Sequence, residues 1–394
     1  MTIQEAPPHT DLVGRATDLV EMIRKHVVWQ EENRVLHEEV LQGITDAGIM
    51  KMRTPVRYGG YESEVRTISA VISELGRGDG AVGWTISAFT LGSWLAGLFP
   101  DEVQDEIFAD PSVRICGGIS PTAVATPTDG GVIIDGRWKF VSGAPHSQWD
   151  MLAVLLATGD GGYIPATAAV PMSDLTIIDD WHTAGLRATG SVTTVAENLF
   201  VPQARILPMI PVLMFGQHAS KLNADSPAWK LPFVPHANAM TCASSLGMAK
   251  AAQEAFLEKL PSRKIAYSNY EHQADAPLTH LQVAEAAIRI DEAEFHVRRG
   301  AERLDSKVLA GEQWSVQERL LAKTDASMAC VRAKEAVDIL NNASGGSSVY
   351  TDQPMQRIWR DIQALNLNGP LTPSTNMEAY GRVLCGLEPN TTLL

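Results

Sequence analysis

The period of the hydrophobic pattern changes twice along this chain, and the order of the changes limits the folds that it can adopt. From about Asp11 to Ala109 apolar residues recur with the helical period, and residues 84–99 are apolar on nearly every side, which predicts a buried helix. Between about Arg114 and Pro208 the period approaches two and turn residues multiply, which predicts short strands. Helical patterns return after residue 236. The predicted fold class is therefore α+β: an N-terminal helical domain, a central β-barrel or sandwich domain and a C-terminal helical bundle.

Three domains are predicted, over residues 1–112, 113–208 and 209–394. The third begins with a proline-containing connector to residue 235 and continues as the bundle. The middle domain is too short for a parallel sheet with crossover helices, and neither a GxGxxG motif nor a Walker loop is present, which disfavours a Rossmann dehydrogenase. The bundle helices are predicted at 237–260, 278–309, 316–341, 354–365 and 376–384.

Two tight turns are predicted in the β domain. Asp135-Gly136 interrupts an alternating apolar pattern and predicts a hairpin turn before a strand over residues 137–142. The glycines of segment 159–162 predict a second hairpin.

The composition of the chain excludes several classes of partner. A formal net charge of -14 over 394 residues argues against binding to nucleic acid or to anionic membranes, which both need clustered Lys and Arg. No apolar run has the length of a membrane span, and residues 1–10 lack a basic start and a hydrophobic stretch, so we expect a cytoplasmic protein. The four cysteines show no metal-ligand spacing and are predicted to be core thiols, with no metal bound.

Residues 138–149 are the most informative segment for function. They predict a strand that enters a polar Ser-Gly turn between large apolar residues, where a flat heterocyclic cofactor can lie against the backbone. Two further segments, 185–191 and 357–361, accompany it in a fixed order.

With Arg57-Tyr58-Gly59-Gly60 and Trp84, these segments give the chain a resemblance to the acyl-CoA dehydrogenase fold. Within that fold it resembles the reduced-flavin-dependent, two-component (group D) monooxygenases. The resemblance implies reduced FMN or FAD and O2 as cofactors, oxygen transfer through a C4a-hydroperoxyflavin, a small-molecule substrate, a separate NAD(P)H:flavin reductase as partner, and a homotetramer.

The resemblance also implies roles for individual residues. Ser142 matches a hydroxyl residue near flavin N5 and O4, and Arg263 matches an arginine that contacts the cofactor phosphate. The glycine-rich turn at Gly345 and Gly346 resembles one that reaches the flavin of a neighbouring subunit. The remaining cofactor-binding residues implied by the resemblance are Trp138, Gly143, Thr189 and Ser191.

The chain departs from its relatives on the substrate side. Common acyl-CoA dehydrogenases place a catalytic glutamate where this chain has Gly369, which disfavours dehydrogenation. Phenol hydroxylases of the monooxygenase branch place histidine, serine and histidine where this chain has Gly92, Gly117 and Asn368. Asn368 can hydrogen-bond a substrate but cannot act as a general base. Gly92 and Gly117, together with Trp94, are therefore predicted to line an enlarged substrate pocket.

Several functions remain open at this point. The catalytic candidates are Ser142, Asn368 and His146, which follows Ser142 by four residues and could face the flavin or the substrate. Hydroxylation of a bulky aromatic or polyketide-type substrate is favoured. Oxygenation of an amine or thioether nitrogen or sulfur needs no phenolate and is an alternative, as is an acyl-CoA dehydrogenase or flavin oxidase. A non-catalytic scaffold is the least favoured.

Overall fold

The computed structural model describes residues 11–391 and 393–394, and the predicted α+β class is confirmed. Residues 1–10, in which the sequence predicted no targeting segment, lie outside the described residues. The N-terminal part is helical, and its most buried helix is α5, which begins where the Asp79 side chain accepts a hydrogen bond from the Ala81 amide. The N-terminal helices are α1 (Leu12–Asp18), α2 (Val20–Asn33), α3 (Glu38–Asp46), α4 (Val65–Gly78), α5 (Gly80–Ala96) and α6 (Asp101–Ile107).

The central part is a mixed sheet of eight strands. Its main path is β6-β7-β3-β2-β4-β5-β8, and β1 pairs in parallel with β4. The predicted hairpin at 159–162 is confirmed, because it joins two antiparallel strands, β4 and β5. The strands are β1 (Ile115–Gly117), β2 (Ala123–Thr128), β3 (Gly131–Val141), β4 (Trp149–Ala157), β5 (Tyr163–Pro171), β6 (Thr176–Ile178), β7 (Val192–Pro202) and β8 (Ile206–Pro208).

The predicted turn at Asp135-Gly136 is wrong. Strand β3 continues through both residues, and its pairing with β7 shifts register between Ile134 and Gly136, which marks a bulge. The hairpin turn lies earlier, at Asp129-Gly130, where Gly130 has a φ of 74°. Asp-Gly is as acceptable at a bulge as at a turn, so the dipeptide alone could not distinguish the two positions.

The C-terminal part is a helical bundle, as predicted, with two differences. The connector contains a short helix of its own, and the helix expected over 237–260 divides at Cys242. The helices are α7 (Met209–Phe215), α8 (Phe233–Thr241), α9 (Ala243–Lys259), α10 (Pro277–Ala310), α11 (Val316–Ala343), α12 (Pro354–Leu365) and α13 (Pro373–Leu384).

Two apolar cores stabilise these parts. The larger core joins the N-terminal helices to the bundle, and the smaller one lies within the sheet. Helices α4 and α9 approach so closely that a Cβ atom on Gly247 would lie only 2.1 Å from the Ser73 carbonyl oxygen. Glycine at this position therefore permits the close packing. Of the predicted core thiols three are buried, but Cys385 is exposed. No helix in the described part of the chain is long and apolar enough to cross a membrane.

Candidate active site

A chain of hydrogen bonds joins helix α5 to two segments of the β domain. Trp84 Nε1 donates to Ser142 Oγ at 2.9 Å, and Ser142 Oγ lies 2.7 Å from Ser191 Oγ. Ser191 Oγ in turn lies 2.7 Å from Thr189 Oγ1, which donates to the Leu186 carbonyl oxygen at 2.8 Å. The structure therefore brings together three residues that the sequence predicted for the cofactor site.

The donor and the acceptor in each of these hydrogen bonds follow from the number of hydrogens that a hydroxyl group can donate. A hydroxyl group has one hydrogen and two acceptor lone pairs. Thr189 gives its hydrogen to Leu186, so Ser191 donates to Thr189, and Ser142 donates to Ser191. Ser142 Oγ is thus left with one lone pair beyond the one used by Trp84.

The turn after Ser142 packs against the same helix. Gly143 has a φ of 77°, and its amide donates to the Thr189 carbonyl oxygen at 2.8 Å. A Cβ atom on Gly143 would lie 2.3 Å from Phe89 Cε1, so a side chain cannot fit there. Gly143 therefore permits the close approach that places Ser142 beside Trp84.

Helix α12 holds the second segment, 185–191, in place. A Cβ atom on Gly185 would lie 2.2 Å from the Arg360 carbonyl oxygen, so glycine allows this segment to lie directly on the helix. Asp361 Oδ1 accepts a hydrogen bond from the Leu186 amide at 2.6 Å, and Leu186 has a positive φ of 51°. Arg360 donates to the Ala184 carbonyl oxygen and pairs with Glu31.

Asp361 shares its buried surroundings with a second carboxyl group, Asp79. Burial, followed by the nearby charge of Asp79, raises the pKa of Asp361 to about 7. Burial likewise raises the pKa of Asp79, against the opposing charge of Arg357. Gln30 Nε2 donates to Asp79 Oδ2 at 2.8 Å. Burial therefore favours the neutral form of both carboxyl groups.

Replacing Asp361 with asparagine is expected to change how stability depends on pH. The folded-state pKa of about 7 lies above the unfolded value, so the folded protein binds more protons between about pH 4 and pH 7. The free energy of unfolding therefore falls as pH rises through this window. Asp361→Asn keeps an acceptor for Leu186 but should lose that part of the slope, measured by urea unfolding at pH 5 and pH 8. The exposed Asp291→Asn variant should keep the wild-type slope.

The turn between α2 and α3 contacts the β domain at two points. Arg34 pairs with both carboxylate oxygens of Asp179, at 2.5 and 2.7 Å. The Leu36 amide donates to His146 Nε2 at 3.1 Å. Burial, with the nearby charge of Arg114, lowers the pKa of His146 to about 4. His146 is thus a neutral ring whose Nε2 accepts from the backbone, and its predicted catalytic role stays a prediction.

Only one side of helix α5 is partly exposed to solvent. Trp84, Ala88 and Leu91 are half-buried, whereas the helix is otherwise buried. Their spacing of four and three residues places them on one face, which is the face that reaches Ser142 through Trp84. A helix apolar on all sides gives no sequence signal for this face, so Ala88 and Leu91 were not predicted.

The predicted substrate-pocket residues pack closely against their neighbours. A Cβ atom on Gly92 would lie 2.1 Å from the Ile115 carbonyl oxygen, and one on Gly117 would lie 2.9 Å from Met151 Cβ. These glycines let α5, β1 and β4 approach each other closely. Trp94 is fully buried, and its Nε1 donates to the Ala228 carbonyl oxygen at 2.8 Å. These contacts favour packing roles, and the prediction that the three residues line a substrate pocket stays a prediction.

Replacing Gly92 with alanine tests whether this glycine is needed for packing. Alanine normally favours a helix interior by about 1 kcal/mol, but the contact with Ile115 should reverse the sign and destabilise the protein by about 1–3 kcal/mol. Urea unfolding measures the change. In the control Gly118→Ala, the added Cβ atom meets nothing within 4 Å, and stability should be nearly unchanged. Equal stability of both variants would favour the enlarged-pocket interpretation.

Trp138, predicted to bind the cofactor, also belongs to a core. It is 2% exposed within the sheet, and its Nε1 donates to the Ala153 carbonyl oxygen at 2.7 Å. The exposed aromatic residue of this strand is Phe140, which is 70% exposed, has a φ of 64° and contacts the Trp181 ring edge-on. The bulge between Trp138 and Val141 reverses which side chain faces outward, and the sequence does not reveal it.

The remaining cofactor residues form a second group. The Gln273 amide donates to the Arg263 carbonyl oxygen, and Gln273 Nε2 donates to the Ala343 carbonyl oxygen, both at 2.8 Å. Arg263 Nη1 is buried without a partner, and burial lowers the pKa of Arg263. Cβ atoms on Gly345 and Gly346 would meet nothing within 4 Å. This group therefore offers an unpaired guanidinium nitrogen beside an open glycine turn.

Asn368 lies in the loop after α12, half-buried. The same loop is held by α8, because Asn238 Nδ2 donates to the Pro370 carbonyl oxygen at 3.0 Å. Among the described residues, no hydrogen bond joins Asn368 to the hydrogen-bonded hydroxyl groups of Ser142, Ser191 and Thr189. The predicted catalytic role of Asn368 therefore stays a prediction.

Comparison with known families agrees with this architecture. Residues 15–110 match the acyl-CoA dehydrogenase N-terminal domain, and residues 239–368 match the acyl-CoA dehydrogenase C-terminal domain. The chain belongs to the acyl-CoA dehydrogenase family, and within it to the flavin-dependent oxygenases that work as components of two-component systems.

Individual relatives define this branch. The chain is 29% identical over 395 residues to the oxygenase component of the FADH2-dependent resorcinol hydroxylase of Rhizobium sp. (strain MTP-10005), covering 98% of this chain and 96% of the relative. It is 26% identical to the oxygenase subunit HsaA of the flavin-dependent monooxygenase of Rhodococcus jostii (strain RHA1), covering 96% and 100%. Its structure superposes on XiaF from Streptomyces sp. in complex with FADH2 and glycerol with a TM-score of 0.90 at 29% identity, covering 98% of both chains.

Proposed function

We propose that this protein is the oxygenase of a two-component monooxygenase that hydroxylates a small aromatic or polyketide-type substrate. The observation that supports it most directly is the row of hydrogen-bonded hydroxyl groups that begins at Ser142, beside the half-buried face of α5. One of the related enzymes named above is a resorcinol hydroxylase, and another is bound to FADH2.

Two features of the chain fit a bound flavin. The first is the unused lone pair of Ser142 Oγ, which can accept a hydrogen bond from the N5–H group that only reduced flavin carries. The second is the buried, unpaired Nη1 of the half-buried Arg263, because a buried N–H group needs a hydrogen-bond acceptor and flavin nucleotides supply a phosphate. Reduced flavin, when bound, supplies the electrons that activate O2 for transfer of one oxygen atom to the substrate.

The residues of the chain would hold the ring and exclude water. Trp84 and Ser191 fix the orientation of the Ser142 hydroxyl, and Gly143 keeps the turn close to α5. The half-buried side chains of Trp84, Ala88 and Leu91 form an apolar wall for a flat substrate. None of these three side chains is ionisable, which suits hydroxylation of an electron-rich ring or of a neutral nucleophile.

We also propose a homotetramer with flavin sites completed between subunits. Gln273 links Arg263 to Ala343, two residues before Gly345, and none of the contacts described for this group includes Ser142. Helix α10 carries an exposed apolar row with seven-residue spacing, which suits packing against another copy. Its members are Leu281, Ile288, Phe295 and, after a polar position, Leu309. Flavin affinity should then fall when the protein is diluted below its assembly concentration.

The remaining partners follow from the two-component class. We propose that a separate NAD(P)H:flavin reductase supplies reduced FMN or FAD, and that the protein works in the cytoplasm, where such reductants are available.

Isotope labelling tests the proposed reaction. The purified protein is mixed with an unrelated flavin reductase, NADH, FAD or FMN, and ¹⁸O2, with separate panels of phenols, polycyclic phenols, thioethers and amines. We expect one ¹⁸O atom in a hydroxylated aromatic product, detected by mass spectrometry. Label in a sulfoxide or hydroxylamine alone would select the alternative substrate class, and reduction of bound flavin by an acyl-CoA without label in any product would contradict the proposal.

A further inference from the structure

We propose that His26, His37 and Glu39 form a zinc-binding site where helix α2 meets helix α3. One ligand atom from each of the three residues lies within 4.8 Å of the other two. His26 Nε2 lies 2.8 Å from Glu39 Oε2, and the two imidazole rings stack at 3.9 Å with an angle of 17° between their planes. Two imidazole nitrogens and a carboxylate are ligands that zinc prefers, with water as the fourth. The described part of the chain holds no second group of this kind.

The site must rearrange to bind the ion, because zinc lies in the plane of each imidazole that binds it and the two rings are stacked face to face at 3.9 Å, so at least one ring has to rotate. Tetrahedral zinc with bonds of about 2.0–2.1 Å places its ligand atoms roughly 3.3 Å apart. The contact between His26 and Glu39 must open slightly from 2.8 Å, and the widest separation must close from at most 4.8 Å. His26 lies on α2 while His37 and Glu39 begin α3, so rotations of partly exposed side chains at the turn supply this change.

Two existing interactions oppose zinc binding. His37 Nδ1 caps α3 by accepting a hydrogen bond from the Glu39 amide at 3.1 Å. Zinc binds an imidazole nitrogen that carries no hydrogen, so coordination by His37 replaces this cap, at a loss that is small beside a zinc–ligand bond. Lys25 Nζ lies 3.9 Å from Glu39 Oε1, but its side chain is 69% exposed and can move into solvent. Lys25→Met should therefore tighten zinc binding.

The position of the site gives it a structural role. The same turn carries Arg34, which pairs with Asp179, and Leu36, which holds His146. A zinc ion that links α2 to α3 would hold this turn, and through it the contact between the N-terminal helices and the β domain. Zinc should accordingly stabilise the folded protein.

Titration of the full-length protein with zinc tests the site. The protein carries no histidine tag, the buffer does not bind metal, and binding is followed by isothermal titration calorimetry with ZnCl2. We expect one zinc ion per chain and an increase in Tm of about 2 °C or more at saturating zinc. His37→Asn is the most useful variant, because asparagine still caps α3 while it removes a ligand. His26→Asn and Glu39→Gln remove the other two.

Each ligand variant should bind zinc at least about tenfold more weakly and lose the Tm increase. The exposed His280→Asn variant serves as the control and should behave as the wild type. Circular dichroism confirms that all variants fold. Absence of zinc binding in the wild-type protein, or equal binding by the His37→Asn and wild-type proteins, would overturn the proposal.

Discussion

Replacing Ser142 with alanine is expected to weaken the binding of reduced flavin by about 1–3 kcal/mol, or roughly 5- to 150-fold. The variant removes the acceptor for the flavin N5–H group and also leaves Trp84 Nε1 without its partner. Oxidised flavin has no hydrogen on N5, so its affinity should change less. Anaerobic titration with reduced and oxidised flavin measures both. Hydrogen peroxide released per NADH consumed should rise, because a poorly held ring reacts without transferring oxygen to substrate.

Two further variants separate this role from general destabilisation. Ser191→Ala removes the group to which Ser142 donates, so Ser142 can turn its hydrogen towards the flavin, and the affinity for oxidised flavin should rise relative to reduced flavin. The exposed Ser173→Ala variant should leave both affinities unchanged. An unaltered preference for reduced flavin in Ser142→Ala would show that this hydroxyl does not contact the reduced ring.

Arg263→Met is expected to weaken binding of FMN and FAD by about 1.5–3 kcal/mol, or roughly 10- to 150-fold. The buried Nη1 of Arg263 has no partner within the described part of the chain, so a phosphate can take a full charge-assisted hydrogen bond there. Fluorescence titration with oxidised flavin measures the loss, which should shrink as salt is added.

Riboflavin, which lacks the phosphate, provides the matched control for this prediction. Wild-type protein and Arg263→Met should bind riboflavin equally, whereas they should differ for FMN. Arg298→Met changes an exposed arginine on α10 and should bind FMN as the wild type does. A loss of riboflavin affinity equal to the loss for FMN would show that Arg263 supports the fold and does not bind phosphate.

Much of the fold was predictable because it depends on local periodicity. The change from the helical period to the strand period identified the three parts, and the bundle helices α10 and α12 begin and end within two residues of the prediction. The misplaced turn at Asp135-Gly136 shows the limit of this approach. A bulge and a turn use the same residues, and only pairing with β7, distant in sequence, decides between them.

The site was predictable where a motif is continuous and not where it depends on packing. Ser142, Thr189 and Ser191 were predicted because two short segments carry them; the structure joins their hydroxyl groups, and their contact with flavin stays a prediction. Gly92 and Trp138 are closely packed, which the sequence did not predict, because a glycine or a tryptophan has the same sequence signature beside a ligand and inside a core. The Asp79–Asp361 pair had no signal, since its members are 282 positions apart (361 minus 79).

The contact between Glu31 and Arg360 has a consequence for how the protein folds. It joins residues 329 positions apart, and the contacts of Leu36 with His146 and of Leu186 with Asp361 span 110 and 175 positions. Contacts between such distant residues close large loops and form slowly. Flavin binding therefore requires nearly the whole chain to be folded, and the first appearance of bound flavin during refolding should mark the last steps of folding.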